Sequence, residues 1–279
     1  MSLSSTSTHT LLSHQLYDAH CHFHLDSSDL GGASMNTVLS RLGGVALMST
    51  RHEDWDQVIK ITRNTSKARC LLGIHPWFAH HYIGRLDWLN SLREKLQSTP
   101  YSALGEIGLD RKWRTPETGR VEYEAQLMLF HAQLKLAAEL ALPVSIHCVH
   151  SQGDLYDILN KADHLPPTIY LHAFGGAPGT VEQLIRSKRF GDRLYFGFAS
   201  CINLRSHKTK AVIKVVPDDR LVIESDRSSA FPLGRIENEL QKMLEVYKEV
   251  KGWSSIEQAA QITYMNASRL YRPADLVTR

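Results

Sequence analysis

Eight short apolar runs, rich in β-branched residues, punctuate the chain at about 17–22, 44–49, 69–74, 101–107, 143–147, 168–172, 193–198 and 220–225. None alternates strictly between apolar and polar residues, so each suits a strand covered on both faces, as in a parallel sheet. Parallel strands need crossover connections, and the runs recur at the roughly 30-residue spacing of βα units. Helical periodicity fills the gaps. Over about 121–141, Ala125, Met128, Ala132, Leu136 and Leu140 form a stripe opposite Glu122, Glu124, Lys135 and Glu139. A second stripe over about 235–250 contains Ile236, Leu240, Met243, Leu244 and Tyr247. A third segment, 256–270, follows a capping-box start in which Ser255 precedes Gln258. Eight such units in 279 residues match a (β/α)8 TIM barrel of about 250 residues plus a tail. No Pro/Ser linker divides the chain. The expectation is a flexible tail over 1–13 and one barrel domain over 14–279.

The ends of those runs carry the chemistry. In Tyr17-Asp-Ala-His-Cys-His22, residues i and i+2 of a strand face the same side, so His20 and His22 aim at one point. Four more runs finish in or beside a hard metal ligand: Glu106, His147, His172 and Asp226. In a barrel of this kind the active site lies at the C-terminal ends of the strands, where all six converge. Six nitrogen and oxygen ligands exceed the three protein ligands of a single catalytic zinc. They suit two divalent metals about 3.5–4 Å apart. Glu106 is the natural bridge, because a carboxylate offers two oxygens. With imidazole and carboxylate donors and no thiolate, the metals are Zn²⁺, Mg²⁺ or Mn²⁺, and ligand type alone does not choose among them.

Composition sets outer limits. The net charge of +3 permits an anionic substrate without arguing for one, since a nucleic-acid footprint needs clustered basic residues. Four scattered cysteines, Cys21, Cys70, Cys148 and Cys201, contain no CxxC pair and read as reduced thiols. The first dozen residues lack Lys, Arg and a signal-like apolar core, and no 18-residue apolar stretch occurs. The expectation is an intracellular protein, cytoplasmic or nuclear, without a membrane span.

An ordered set of motifs now stands out: Asp18-Ala-His-Cys-His22, Gly73-Ile-His-Pro76, Ala103-Leu-Gly-Glu-Ile-Gly-Leu-Asp110, Pro143-Val-Ser-Ile-His147, His172-Ala-Phe-Gly-Gly176, Glu224-Ser-Asp226 and Asn266-Ala-Ser-Arg-Leu-Tyr271. From about residue 16 to 271 the chain resembles the TatD-type metal-dependent hydrolases of the amidohydrolase superfamily. The resemblance implies a (β/α)8 barrel with a divalent metal pair and a deoxyribonuclease or related phosphodiesterase activity. It implies that His20, His22 and Asp226 hold one metal and His147 and His172 the other. Glu106 would bridge them, where other superfamily members use a carbamylated lysine. Asp226 becomes the general base, able to touch both a metal and the attacking water. His75 lines the substrate side, and Glu224 orients a ligand from behind. His24 also lies near the first motif but past the strand end.

Two departures bear on the substrate. The family often has an arginine two residues after the strand-5 histidine, where this chain has Val149 followed by His150. The turn after Asp226 reads Arg227-Ser-Ser where a Ser-Pro-like continuation is usual. Phosphate grip then falls to Arg227, with Arg111, Lys112 and Arg205 as further choices. Three functions compete. The first is a DNA phosphodiesterase with sequence-independent, salt-sensitive binding. The second is a binuclear hydrolase of a small amide, lactone or phosphoester. The third is a barrel that mainly binds a protein partner through exposed aromatics such as Trp77, Trp88 or Trp113.

Overall fold

The structure, a computed structural model, describes residues 15–26, 32–85 and 87–272. The expected tail over 1–13 lies outside them. Eight parallel strands follow one another around a single sheet in chain order. They are β1 Tyr17–Cys21, β2 Gly44–Met48, β3 Ala68–Leu72, β4 Ser102–Asp110, β5 Val144–Val149, β6 Ile169–Leu171, β7 Leu194–Ala199 and β8 Leu221–Glu224. The helices of the described residues are α1 Gly32–Arg41, α2 Trp55–Thr62, α3 Asp87–Ser98, α4 Tyr123–Glu139, α5 Gln152–Lys161, α6 Pro178–Ile185, α7 Ser200–Asn203, α8 Thr209–Val215, α9 Leu233–Lys251 and α10 Ile256–Leu270. The architecture is that of a (β/α)8 barrel. No described helix is long and apolar enough to cross a membrane.

Closure depends on polar contacts between the first and last strands. The Asp226 N–H donates to the His20 carbonyl at 2.9 Å, and the His22 N–H to the Arg227 carbonyl at 2.7 Å. Below them the buried Asp18 carboxylate accepts from the Ser225 N–H at 2.9 Å and the Ser225 hydroxyl at 2.6 Å. Burial pushes that carboxyl up to about 7 against these hydrogen bonds. Inward-facing Tyr17, Ala19, Ala46, Met48, Leu71, Ala103, Tyr170 and Val222 fill the barrel, and Ala267, Leu270 and Tyr271 from α10 and its end close the N-terminal mouth. The Tyr271 hydroxyl donates to the Ala19 carbonyl at 2.8 Å. Outward-facing residues such as Val45, Leu47 and Leu72 join the larger core beneath the helices. Strands packed on both sides explain the unbroken apolar runs.

Several sequence expectations shift in detail. The buried face of α4 is Gln126, Leu129, Phe130, Gln133, Leu134 and Ala137 together with Ala125 and Leu136, whereas Met128 is 52% exposed. The reason is polar. Gln126 accepts from the Asp110 N–H at 2.7 Å and donates to its carbonyl at 3.0 Å, and Gln133 does the same for Ile74 at 2.7 and 3.1 Å. Two buried glutamines thus satisfy backbone at the end of β4 and just after β3 that would otherwise be orphaned. At α10 the Ser255 hydroxyl caps the Gln258 N–H at 3.2 Å, but Gln258 reaches back to the Ser254 N–H at 2.7 Å, so the box closes one residue early.

Register also departs from a smooth barrel. Between β1 and β2 it shifts across Asp18–Cys21, and between β4 and β5 across Leu104–Ile107, with one extra residue on β1 and on β4. These are bulges, which re-aim side chains locally.

Gly197 supplies a test of the packing. A Cβ there would stand 1.8 Å from the Tyr170 hydroxyl and 2.6 Å from Glu224 Oε2. Gly197→Ala is expected to cost about 1–3 kcal/mol through overpacking. At this chain length that lowers the thermal midpoint by roughly 2–12 °C. A melt followed by circular dichroism checks it, with Gly234→Ala, which meets nothing within 4 Å, expected to cause no loss.

Candidate metal centre

Glu106 is 2% exposed and lies at the β4 bulge, in mid-strand rather than at a strand end, because β4 continues to Asp110. Its two oxygens face different histidine pairs. Oε2 stands 3.2 Å from His20 Nε2 and 3.0 Å from His22 Nε2. Oε1 stands 3.0 Å from His147 Nδ1 and 2.7 Å from His172 Nε2. Asp226, in a left-handed conformation with φ 50°, brings Oδ1 within 3.7 Å of His20 Nε2 and 3.6 Å of His22 Nε2. The six residues picked out at the strand ends therefore meet around one point.

Hydrogen-bond partners set the histidine tautomers. His22 Nδ1 lies 3.0 Å from the Met48 carbonyl, which only accepts, so Nδ1 carries a proton and Nε2 is the nitrogen turned toward Glu106. His147 Nε2 lies 3.2 Å from Asp110 Oδ2, which turns Nδ1 toward the same carboxylate. That carboxylate–histidine pairing is the arrangement that orients metal ligands. His75 is different. Its Nδ1 accepts from the Trp77 N–H at 3.2 Å, so Nε2 holds a proton, and it lies 3.3 Å from Glu106 Oε1.

Charge and burial pull on these groups in opposite senses. Burial alone would raise the Glu106 carboxyl, but the imidazoles of His172, His75 and His20 outweigh it and hold the group well below the usual carboxylate range. Burial pushes Asp226 up to about 6 despite His172 and His22. Burial likewise brings His75 down to about 4, so its imidazole is neutral at physiological pH.

The donor set fits divalent metal. Ring nitrogens confront one another at 3.1 Å between His20 and His22 and at 3.2 Å between His147 and His172. Buried Glu106 Oε1 and His172 Nδ1 have no well-directed hydrogen-bond partner among the described residues. Ring nitrogens converging in a buried space, beside a carboxylate with an orphaned oxygen, are what a cation resolves. His20, His22 and Asp226 form one group of ligand atoms, and His75, Glu106 and His147 another.

Other sequence candidates are placed elsewhere. His24 bonds Asp54 Oδ2 at 3.1 Å. Arg227 is committed to Glu239 of α9, with Nε at 2.8 Å from Oε2, and Arg111 is bound to Asp154 at 2.8 Å. Glu224 pairs with the Tyr170 hydroxyl and accepts from the Ala173 N–H at 2.7 Å, 3.8 Å from His172 Nδ1. Val149 lines a neighbouring cavity of about 420 Å³ with His150 and Lys208. The cavity over Glu106, of about 490 Å³, is walled instead by Leu25, Thr50, Arg51, Trp77, Phe78 and Ile202. Arg51 is its only lysine or arginine among the described residues. Trp88 is buried, but Trp77 is 38% exposed, stacks on Trp113 at 5.6 Å, and donates from Nε1 to Asp110 Oδ2 at 2.8 Å. Arg51, Trp77 and Asp110 escaped sequence reasoning as site residues. Nothing local marks Arg51, and Asp110 lies beyond the expected end of β4.

The sequence profile of the family described as TatD related DNase matches residues 17–272. The chain belongs to that family. It is 26% identical to the Cut9-interacting protein scn1 of Schizosaccharomyces pombe, over 89% of this chain and 96% of the relative. It is 28% identical to the 3′-5′ ssDNA/RNA exonuclease TatD of Erwinia tasmaniensis, over 82% of this chain and 88% of that one. The crystal structure of YjjV, a TatD homolog from Escherichia coli K12, superposes with a TM-score of 0.72 at 25% identity, covering 94% of this chain and 99% of the other. Family membership makes the chain a metal-dependent hydrolase.

Asp110 holds both His147 and Trp77, so Asp110→Asn is expected to weaken divalent-metal binding about 10- to 100-fold without unfolding the barrel. Calorimetric titration with Mn²⁺ and Zn²⁺ measures it.

Proposed function

We propose that the protein hydrolyses phosphodiester bonds of DNA with a pair of divalent metals held by His20, His22, Asp226, His147, His172 and a bridging Glu106. The observation that carries this reading is the split of the Glu106 carboxylate, one oxygen to each histidine pair. Bound there, two cations would supply positive charge against the developing phosphoryl charge and lower the pKa of a water. Zn²⁺, Mg²⁺ and Mn²⁺ all suit these donors.

The chain's own groups do the rest. Asp226, with its carboxyl drawn up to about 6 by burial, is the general base, since of the two carboxylates that border both the histidine cluster and the open cavity its side chain is the more exposed, 18% against 2% for Glu106. Neutral His75 presents an Nε2–H at the cavity wall, where it can donate to a phosphoryl oxygen. Arg51 brings the cavity's cation. Backbone charge recognition of this kind carries no sequence information, so binding is sequence-independent and falls with salt. The exonuclease named among the relatives acts on single-stranded DNA and RNA, and the same substrate class is proposed here.

Metal-stripped protein incubated with labelled single- and double-stranded DNA is expected to regain cleavage when Mg²⁺, Mn²⁺ or Zn²⁺ is restored, while Glu106→Ala does not. Asp226→Asn should lose about 10²- to 10⁴-fold in turnover, the usual worth of a general base. Undiminished turnover in that variant would remove Asp226 from the role. Failure of the wild-type protein to cut DNA with two metals bound per chain would shift the assignment to a small-molecule hydrolase.

A further inference from the structure

Large apolar side chains left in solvent are commonplace singly and informative in clusters. Of the eight exposed among the described residues, three line the one cavity above Glu106: Leu25 at 44%, Trp77 at 38% and Ile202 at 40%. Phe78 completes the collar. The polar groups of the same cavity sit at its floor, among the histidines and carboxylates, and Arg51 lies at its wall with its guanidinium 5.0 Å from the Phe78 ring. The substrate unit that suits this cavity has one anionic end directed to the floor, a second charge within reach of arginine, and a flat apolar body.

Trp77 is not a loosely placed ring. Asp110 accepts from its indole N–H, Trp113 stacks on it with planes 11° apart, and His75 meets it edge to face at 4.8 Å. The Asp110 oxygen that anchors Trp77 also receives His147, so the exposed indole is positioned by the same carboxylate that orients a proposed metal ligand. A rigid aromatic wall in register with the reacting centre recognises whatever group is attached to the reacting phosphate.

We infer that Trp77, with Leu25, Phe78 and Ile202, forms a subsite for the unpaired nucleobase of the nucleotide being cleaved, and that Arg51 contacts the phosphate beside it. This rests on the nucleic-acid reading above and names the part of the substrate that its cavity selects. A base stacked and paired inside a duplex has no free face to offer, whereas a strand end does. Contact with an aromatic face is tolerant of base identity, because every base has one. The subsite therefore selects single-stranded ends without reading their sequence.

The test compares two single-stranded oligonucleotides whose terminal linkage is a cleavage-resistant phosphorothioate, one with a normal 3′-terminal nucleotide and one with an abasic 3′ terminus. Binding of each to metal-loaded wild-type protein, Trp77→Ala, Trp77→Phe and Arg51→Gln is measured by fluorescence anisotropy. The wild type should prefer the base-bearing end by roughly 5- to 150-fold, the range for one base–aromatic contact. Trp77→Ala should lose that preference by weakening only the base-bearing end, and Trp77→Phe should keep most of it. Arg51→Gln should weaken both ends alike and flatten the salt dependence. If the wild type cleaves DNA but binds both ends equally, or if Trp77→Ala keeps the preference, the subsite is wrong while the nuclease reading stands. If the wild type neither binds nor cleaves any oligonucleotide, the nuclease reading fails and the subsite falls with it.

Discussion

A single carboxylate, Glu106, organises the functional end of this barrel. Burying a lone carboxylate is strongly unfavourable unless opposite charge and hydrogen bonds surround it. Here five imidazoles do so: His20 and His22 against one oxygen, His147, His172 and His75 against the other. Those histidines come from β1, β3, β5 and β6 or the turns that follow them. Their positions are therefore set by how the strands align, and that alignment includes a bulge in β1 beside His20 and a bulge in β4 at Glu106. The bulged residues are the ones that must point into the centre, consistent with bulges serving to aim side chains at functional sites.

Around this cluster the polar contacts are placed where a barrel needs them. Asp18 and Ser225 join the first strand to the last, and Gln126 and Gln133 tie α4 to the end of β4 and to the turn after β3. Those segments carry Asp110 and His75, and through them His147 and Trp77 are held. Packing of α4 and chemistry at the barrel mouth are thus linked by side-chain amides as well as by hydrophobic contact. The C-terminal helix closes the opposite mouth with Ala267, Leu270 and Tyr271, so the apolar core and the polar floor occupy opposite ends of one interior.

Strands could be read from local pattern because both faces of a parallel sheet are covered, which leaves unbroken apolar runs such as Val45 to Met48 and Leu194 to Ala199. Helix α9 was legible for the same reason, with Ile236, Leu240, Met243, Leu244 and Tyr247 all buried. Helix α4 was only half legible: Met128 was placed in the apolar stripe and Gln126 and Gln133 were not, since periodicity does not register a backbone that needs hydrogen-bond partners. Arg227 was read as a phosphate-gripping residue from its place beside Asp226, but its charge meets Glu239 on the following helix, α9.

What the sequence by itself determined is the class of fold and the kind of chemistry, because strand periodicity and the donor types of His, Glu and Asp are properties of neighbouring residues. Only the tertiary structure decided which oxygen of Glu106 faces which histidines, which nitrogen His22, His75 and His147 turn toward it, and that Arg51 and Trp77 line the cavity with Asp110 holding Trp77. Those facts depend on strand register, on two one-residue bulges and on contacts between residues as far apart as Asp110 and His147. A one-residue slip in register turns a side chain to the other face of a sheet, and no local pattern in this chain specifies that slip.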